Sequence, residues 1–264
     1  VTGGTIQIGD ASTPASQTID INSTSPVYNL TVSSTNSPVA RLVTNALTVK
    51  NNVLISSGAT LNANSLNMTV GGNWTNNGGT FTSGTQTVTF NNTSVDQTIN
   101  GTSTTQTFNK ITVAKSATKL IIDGSTTTLT LGGTSPVLTM TSGNIDCGTA
   151  TLVLGTGTTA TTVGTLTYTA GTVIGNFKRW INATSPTTWL FPIGTSTDNQ
   201  KALLTFTNLT NGAITGKFIA SNPGSAGLPL ADAGVNIFNA FTEGYWSLIA
   251  SDGLASTNYA LELT

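Results

Sequence analysis

Few side chains in this sequence could carry catalysis, and histidine is absent. Without histidine, Ser-His-Asp and Cys-His catalysis and histidine-ligated metal sites are excluded. Carboxylates remain, and the acids before residue 175 are Asp10, Asp20, Asp96, Asp123 and Asp146. The last three are 27 and 23 residues apart, so a coiled chain could stack them on one face, where they could bind calcium or flank a sugar chain as paired acids do in glycosidases. The alternative is that they are isolated turn residues. We predict no catalytic, cofactor-binding or metal-ligating residue.

Trp74 is the one tryptophan before residue 175, and it lies between turn residues in Gly72–Asn76. An exposed indole could stack on a sugar ring, whereas a buried one would pack in the core. We therefore keep Trp74 as a candidate glycan contact, with core packing as the alternative.

Three further features have ordinary structural explanations. Cys147 is the sole cysteine, which excludes an internal disulfide, and its neighbours offer no positive charge to stabilise a thiolate, so a buried inert thiol is expected. Gly155–Ala160 imitates a dinucleotide fingerprint, but no helix pattern follows it. Lys110, Lys115 and Lys119 form a small basic cluster, expected to be a solvated face that discourages edge pairing.

The composition excludes several partners. Only 7% of the 264 residues are charged and the net charge is -1, which leaves no basic face for nucleic acid. No apolar run is long enough to span a membrane, and the first residues lack the basic and hydrophobic regions of a signal peptide. Because the strand pattern is already under way at Val1, we expect an internal piece of a longer exported protein.

The elements are predicted to be short strands throughout, because apolar residues alternate with Thr, Ser and Asn between Gly and Asn turns. Phrases recur about 80 residues apart, as in Gln17–Ile19 and Gln97–Ile99, or Leu47–Val49 and Leu129–Leu131. Such a self-match predicts stacked coils of roughly 20 to 27 residues, a β-solenoid. Seven to nine coils would make a rod of about 35 to 45 Å. Leu47–Ile55 is predicted to be one strand.

The composition changes near Gly175, after which aromatic residues are frequent and the repeated phrases stop. The fold class predicted is all-β, with a parallel β-helix over residues 1–175 followed by a small antiparallel β-sandwich capping domain over 176–264 that continues beyond the chain end. Four strands are expected in the second region: 202–207, 213–220, 245–249 and 259–263. Their sheets would cover the last coil, whose backbone is otherwise unpaired.

Two sets of residues resemble a known family. The coils around Asn73–Asn92 and Gln97–Val113, and the tail segments Gly175–Trp180, Trp189–Gly194 and Glu243–Trp246, resemble repeats and the following module of very large secreted adhesin-like proteins of Bacteroidota, cargo of the type IX secretion system. The resemblance implies export by that machinery, an extracellular or outer-surface location, and an adhesive or matrix role. It implies no catalytic residue.

Four functions remain open. The first is a non-enzymatic structural or adhesive segment, a stiff rod that contacts an extracellular polysaccharide or a cell-surface receptor. The second is a carbohydrate-binding module that uses exposed aromatics such as Trp74 or the terminal loops. The third is ice binding by Thr-x-Thr pairs such as Thr85–Thr89, although their spacing is not constant. The fourth is self-association into fibres by edge pairing.

Overall fold

The computed structural model describes residues 2–183, 188–225, 227–232, 234–238 and 240–264, with the backbone alone at Asp232 and Ile237. Its described residues form strands, turns and loops and contain no helix long and apolar enough to cross a membrane. The strands are β1 (Thr5–Ile8), β2 (Thr18–Ile21), β3 (Asn29–Val32), β4 (Val39–Leu42), β5 (Leu47–Val49), β6 (Val53–Ile55), β7 (Thr60–Asn62), β8 (Met68–Val70), β9 (Trp74–Asn76), β10 (Thr80–Thr82), β11 (Thr87–Phe90), β12 (Gln97–Asn100), β13 (Thr105–Phe108), β14 (Lys110–Ile122), β15 (Thr128–Leu131), β16 (Val137–Leu154), β17 (Thr165–Tyr168), β18 (Val173–Ile181), β19 (Thr188–Phe191), β20 (Ala202–Thr210), β21 (Gly212–Ile219), β22 (Leu230–Asp232), β23 (Val235–Ile237), β24 (Tyr245–Ser251) and β25 (Ala255–Leu263).

The predicted β-solenoid is confirmed over residues 5–179, where about eight coils stack through parallel pairs. Each coil contributes a strand in turn to three faces. Face A contains β1, β3, β6, β9, β12, the end of β14, the middle of β16 and the start of β18. Face B contains β2, β4, β7 and β10, then β13, β15, the end of β16 and the middle of β18. Face C contains β5, β8, β11, the starts of β14 and β16, and β17.

The solenoid interior is filled by alternate residues of each strand, because successive side chains point to opposite faces. On face A the register joins Leu30, Val53, Trp74, Ile99 and Ile122 in one inward column. All five are buried. A continuous column of this kind gives each coil apolar neighbours on both sides.

The coils have unequal lengths. On face C, Thr69 pairs with Thr89, an offset of 20 residues, and Thr139 pairs with Thr167, an offset of 28. The extra residues lie at the corners, so the strand registers are preserved. The segment predicted as one strand, Leu47–Ile55, is two: β5 lies on face C and β6 on face A, with a corner at residues 50–52 between them. The period of two in the apolar residues continues across that corner, so the sequence gives no sign that one strand ends and another begins there.

The predicted small antiparallel sheets at the C-terminus are also confirmed. Strands β22 and β23 form a two-stranded sheet. The two larger sheets are β18–β21–β24 and β19–β20–β25. Their inner sides pack together at Phe177 and Phe191, whose ring centroids are 5.9 Å apart. Strand β18 belongs to both regions: it pairs in parallel with β16 as far as Arg179 and antiparallel with β21 from Phe177. The backbone edge of the last coil on face B is therefore paired.

Candidate functional site

Trp74 lies inside the solenoid, so the candidate glycan contact is corrected. Its side chain is fully buried, with ring centroids 4.6 Å from Phe81 and 5.0 Å from Phe108. Its inward position follows from the register, which places Trp74 between Val53 and Ile99. An indole in this position cannot stack on a sugar. The exposed aromatic side chains among the described residues are Phe238, Phe241, Tyr245 and Tyr259, all beyond the solenoid.

The aspartates do not form a column. Asp96 Oδ1 accepts a hydrogen bond from the Lys119 backbone, at 2.7 Å, and Asp146 Oδ2 lies 3.0 Å from Lys119 Nζ. Asp123 follows the last residue of β14, and its N–H donates to Ile99 O. The similar sequence spacings of 27 and 23 do not give a common register, because the coils themselves differ in length. No group of three or more His, Cys, Asp or Glu side chains that could hold a metal occurs within the described residues.

The two N-terminal aspartates serve local structure. Asp10 accepts hydrogen bonds from the Ser12 side chain and backbone and from Thr13, which lower the pKa of its carboxyl. Arg41 donates two hydrogen bonds to Asp20, at 2.8 and 3.0 Å, and this pairing lowers the pKa of Asp20. The turn interpretation suits Asp10, whereas Asp20 forms an ion pair between neighbouring coils.

Lys115 is fully buried, so the prediction of a solvated lysine cluster is wrong at this residue. Its Nζ donates to Asn92 O at 2.8 Å, to Gln97 Oε1 at 2.9 Å and to Val95 O at 3.3 Å. Burial lowers the pKa of Lys115 to about 8. The ammonium joins the corner of one coil to the next and contacts no solvent.

Cys147 and the glycine-rich segment behave as predicted. The thiol is buried, and desolvation raises the pKa of Cys147 to about 12, so it is not a reactive thiolate. The segment Gly155–Ala160 is a loop between β16 and β17, with Gly155 at φ 92°, and no helix follows it. Neither feature forms a site.

An unbroken row of threonines runs along face C. The register joins Thr48, Thr69, Thr89, Thr112, Thr139 and Thr167 over six successive strands. All six are exposed or half-buried. The neighbouring outward column is mixed, because Lys110 and Val137 lie between Thr87 and Thr165. The sequence signal was present as an apolar-Thr-apolar triplet in each face C strand, but unequal coil lengths concealed its register.

An apolar cleft of about 550 Å³ lies between the β18–β21–β24 and β19–β20–β25 sheets. We call it the C-terminal cleft. Its lining comes from β20, β21, β24, β25 and the turn before β25: Leu204, Phe206, Ile214, Tyr245, Trp246, Leu248, Ala250, Leu254, Ala255, Ser256, Tyr259, Leu261 and Leu263. Among the described residues that line it, the ionisable groups are the phenols of Tyr245 and Tyr259. The sequence predicts these strands as parts of a β-sandwich, and it gives no sign that their inner sides are open.

Comparisons with protein-family models, with curated proteins and with solved structures gave no match. What is shown is the architecture: a β-solenoid of about eight coils followed by small antiparallel sheets. The resemblance to secreted repeat proteins remains an expectation from the sequence.

Proposed function

We propose that this chain is a non-enzymatic structural or adhesive segment of a larger surface or secreted protein, in which the solenoid acts as a stiff rod. The observation that supports this function best is the apolar core of the solenoid, in which inward columns such as that of Val53, Trp74 and Ile99 continue from coil to coil. With a strand spacing of about 4.8 Å, about eight coils span roughly 35 to 40 Å. The extracellular location rests on the sequence resemblance and on the low-charge, hydroxyl- and amide-rich composition.

The rod proposal is tested by changing the number of coils. Val53 pairs with Trp74, so residues 53–73 form one complete coil, and extra copies of this segment join at equivalent positions. Inserting three extra copies of residues 53–73 should lengthen the particle by about 14 Å, at about 4.8 Å per coil, as measured by small-angle X-ray scattering. An unchanged maximum dimension would contradict the rod, and turnover of a polysaccharide by the purified chain would contradict a non-enzymatic role.

A second candidate, ice binding, is favoured by the threonine row on face C. Threonines stacked in register on successive strands, about 4.8 Å apart, present a hydroxyl and a methyl group at each rung, which is a surface able to order water. Thermal hysteresis of the purified chain tests this function, with Thr112→Lys in the middle of the row and Thr31→Lys on face A as the matched control. Hysteresis lost in Thr112→Lys alone supports ice binding, and no hysteresis in the unaltered chain rejects it.

A further inference from the structure

Strand β25 presents both an unpaired backbone edge and apolar side chains at the mouth of the C-terminal cleft. It pairs with β20 on one side and with no other strand of the described residues. Tyr259, Leu261 and Leu263 point into the cleft, yet they are 57%, 42% and 41% exposed. Side chains on the inner side of a sandwich are normally buried, so no described residue covers these three side chains.

The hydrogen-bond pattern shows which backbone groups of β25 are free. Lys201 and Thr264 exchange both of their backbone hydrogen bonds. Antiparallel pairs alternate between bonded and non-bonded residues, and the register is regular from Ala202–Leu263 to Phe206–Tyr259. The N–H and C=O groups of Glu262 and Ala260 therefore point toward β20, and those of Tyr259, Leu261 and Leu263 point away from it. The same three residues thus offer both free backbone groups and cleft-lining side chains.

Edge strands are usually protected by lysine, proline, a bulge or an inward charge. From Tyr259 to Leu263 the strand has none of these, and its one charge, Glu262, points away from the cleft. An added antiparallel strand would place alternate side chains over the cleft, so the site suits a strand with apolar residues at every second position. Strand β25 is itself such a strand.

We propose that two copies of this chain pair through β25 about a twofold axis at Leu261. This register sets Leu261 opposite Leu261 of the second copy, and Tyr259 opposite Leu263 in both directions. The three residue pairs that exchange backbone hydrogen bonds between the copies then have apolar side chains on the cleft side. Glu262 of each copy lies opposite Ala260 of the other. A twofold axis at Glu262 would instead bring two like charges together, which is unfavourable. The pairing joins the β19–β20–β25 sheets of the two copies into one six-stranded sheet that covers both clefts.

The pairing goes beyond the proposed function, because a rod that does not associate could still fulfil that function. Association in solution is the first test. Sedimentation equilibrium of the 264-residue chain at about 100 µM, where an association with a Kd of ~10 µM is mostly dimeric, should give the mass of a dimer. Leu261→Lys should weaken dimerisation at least ~10-fold, since it places a charge in the pairing strand. The matched control is Ile249→Lys, an exposed apolar residue of β24 that does not line the cleft. Circular dichroism checks that both variants stay folded.

Cross-linking tests the register. In a Cys147→Ala background, Leu261→Cys should form a disulfide-linked dimer under mild oxidation, because bonded antiparallel pairs have Cα atoms about 5.5 Å apart, within disulfide range. Ile249→Cys is the control and should cross-link far more slowly. A monomer at 100 µM, association unchanged by Leu261→Lys, equal cross-linking of the two cysteines, or open filaments would each overturn the twofold pair.

Discussion

Two glutamines of the solenoid, Gln86 and Gln97, are equally buried but differ in their hydrogen bonds. Gln97 Nε2 donates to Val70 O and Gly72 O, and its Oε1 accepts from Lys115 and from the Asn92 backbone. The amide of Gln86 has no hydrogen-bond partner among the described residues. Burying a polar group is costly unless its hydrogen bonds are made. We therefore expect Gln97 to stabilise the fold more than Gln86 does.

Substitution by methionine separates these contributions, because it keeps a similar length and removes the amide. Gln97→Met should lower the free energy of unfolding by about 2 to 4 kcal/mol, since it removes the amide that donates to Val70 O and Gly72 O and one of the three acceptors of the Lys115 ammonium. Gln86→Met should leave stability unchanged or raise it by up to ~1 kcal/mol. Urea denaturation of both variants measures the difference. Equal losses at the two positions would show that the hydrogen bonds of Gln97 are not what stabilises this corner.

Lys115 gives the stability a defined pH dependence. Its pKa in the folded chain, about 8, lies below its ordinary value of 10.5, so the unfolded chain binds more protons between these two values. The free energy of unfolding must then rise with pH through this window. The difference in stability between the unaltered chain and Lys115→Met isolates the contribution of this group.

We expect the free energy of unfolding of the unaltered chain, relative to that of Lys115→Met, to increase from pH 8 to about pH 10.5 by on the order of 1 to 3 kcal/mol. Denaturant titrations at several pH values measure it. Lys119→Met is the matched control, because it also removes an ammonium, but from a partly exposed ion pair with Asp146. A difference for Lys115→Met that falls over the same window would contradict a lowered pKa.

At the level of single residues, the sequence shows which chemical groups are present but not whether each is buried or exposed. The absence of histidine and the isolation of Cys147 could be read directly. The burial of Lys115 and Trp74 could not, because each lies beside a corner, where a shift of one residue exchanges the inner and outer sides of a strand. Only the register shows which side faces the core.

At the level of elements, the repeated phrases have an unexpected relation to the fold. Gln17–Ile19 leads into β2 on face B, whereas its match Gln97–Ile99 lies in β12 on face A. Leu47–Val49 is β5 on face C, and its match Leu129–Leu131 lies in β15 on face B. The 80-residue offset is therefore not a whole number of coils. The later copy of each phrase lies one face earlier in the order A, B, C than the first copy. All three faces require the same alternation of inward apolar and outward polar residues, so a phrase suits any of them.

This interchangeability explains what the sequence could predict about the elements. Short strands in stacked coils follow from period-two alternation and turn residues alone. The assignment of strands to faces depends on corner lengths, which vary with the number of Gly, Asn and Ser residues and have little effect on the pattern. The threonine row of face C was missed for the same reason.

Close stacking of the corners depends on particular glycines. Gly101 follows β12 with φ 121°, and a Cβ there would lie 2.0 Å from Asn76 O of the preceding coil. Both the conformation and the contact exclude a side chain. Gly101→Ala should destabilise the chain by about 2 to 4 kcal/mol, measured by thermal or urea unfolding. Gly3→Ala is the control, because no atom lies within 4 Å of its Cβ position, and a similar loss there would refute the steric explanation.

At the level of the whole molecule, the two ends of the solenoid differ. At the C-terminal end, the buried Arg179 guanidinium lies 5.0 Å from the Trp189 ring and donates to Leu190 O, which joins the last coil to the antiparallel sheets. At the other end, β1 and β2 each pair with one strand among the described residues, and the inward residue Ile6 is 47% exposed. The change of composition near residue 175 allowed the sequence to predict the capped end. It could not show that one strand, β18, belongs to both regions.

This asymmetry should appear in the order of local opening. Each coil of a solenoid is stabilised by its own contacts and by its neighbours, so a coil with one neighbour opens at a lower free energy than a coil with two. In hydrogen exchange of the 264-residue chain, peptides covering Thr5–Ile21 should lose protection first and those covering Val53–Asn100 last. Leu30→Ala, which removes an apolar contact beneath the first coil, should accelerate exchange at Thr5–Ile21 and leave Thr151–Arg179 unchanged. Uniform exchange along the solenoid would mean that the coils unfold as one cooperative unit. Earlier opening at the C-terminal end would mean that the antiparallel sheets do not stabilise the last coil.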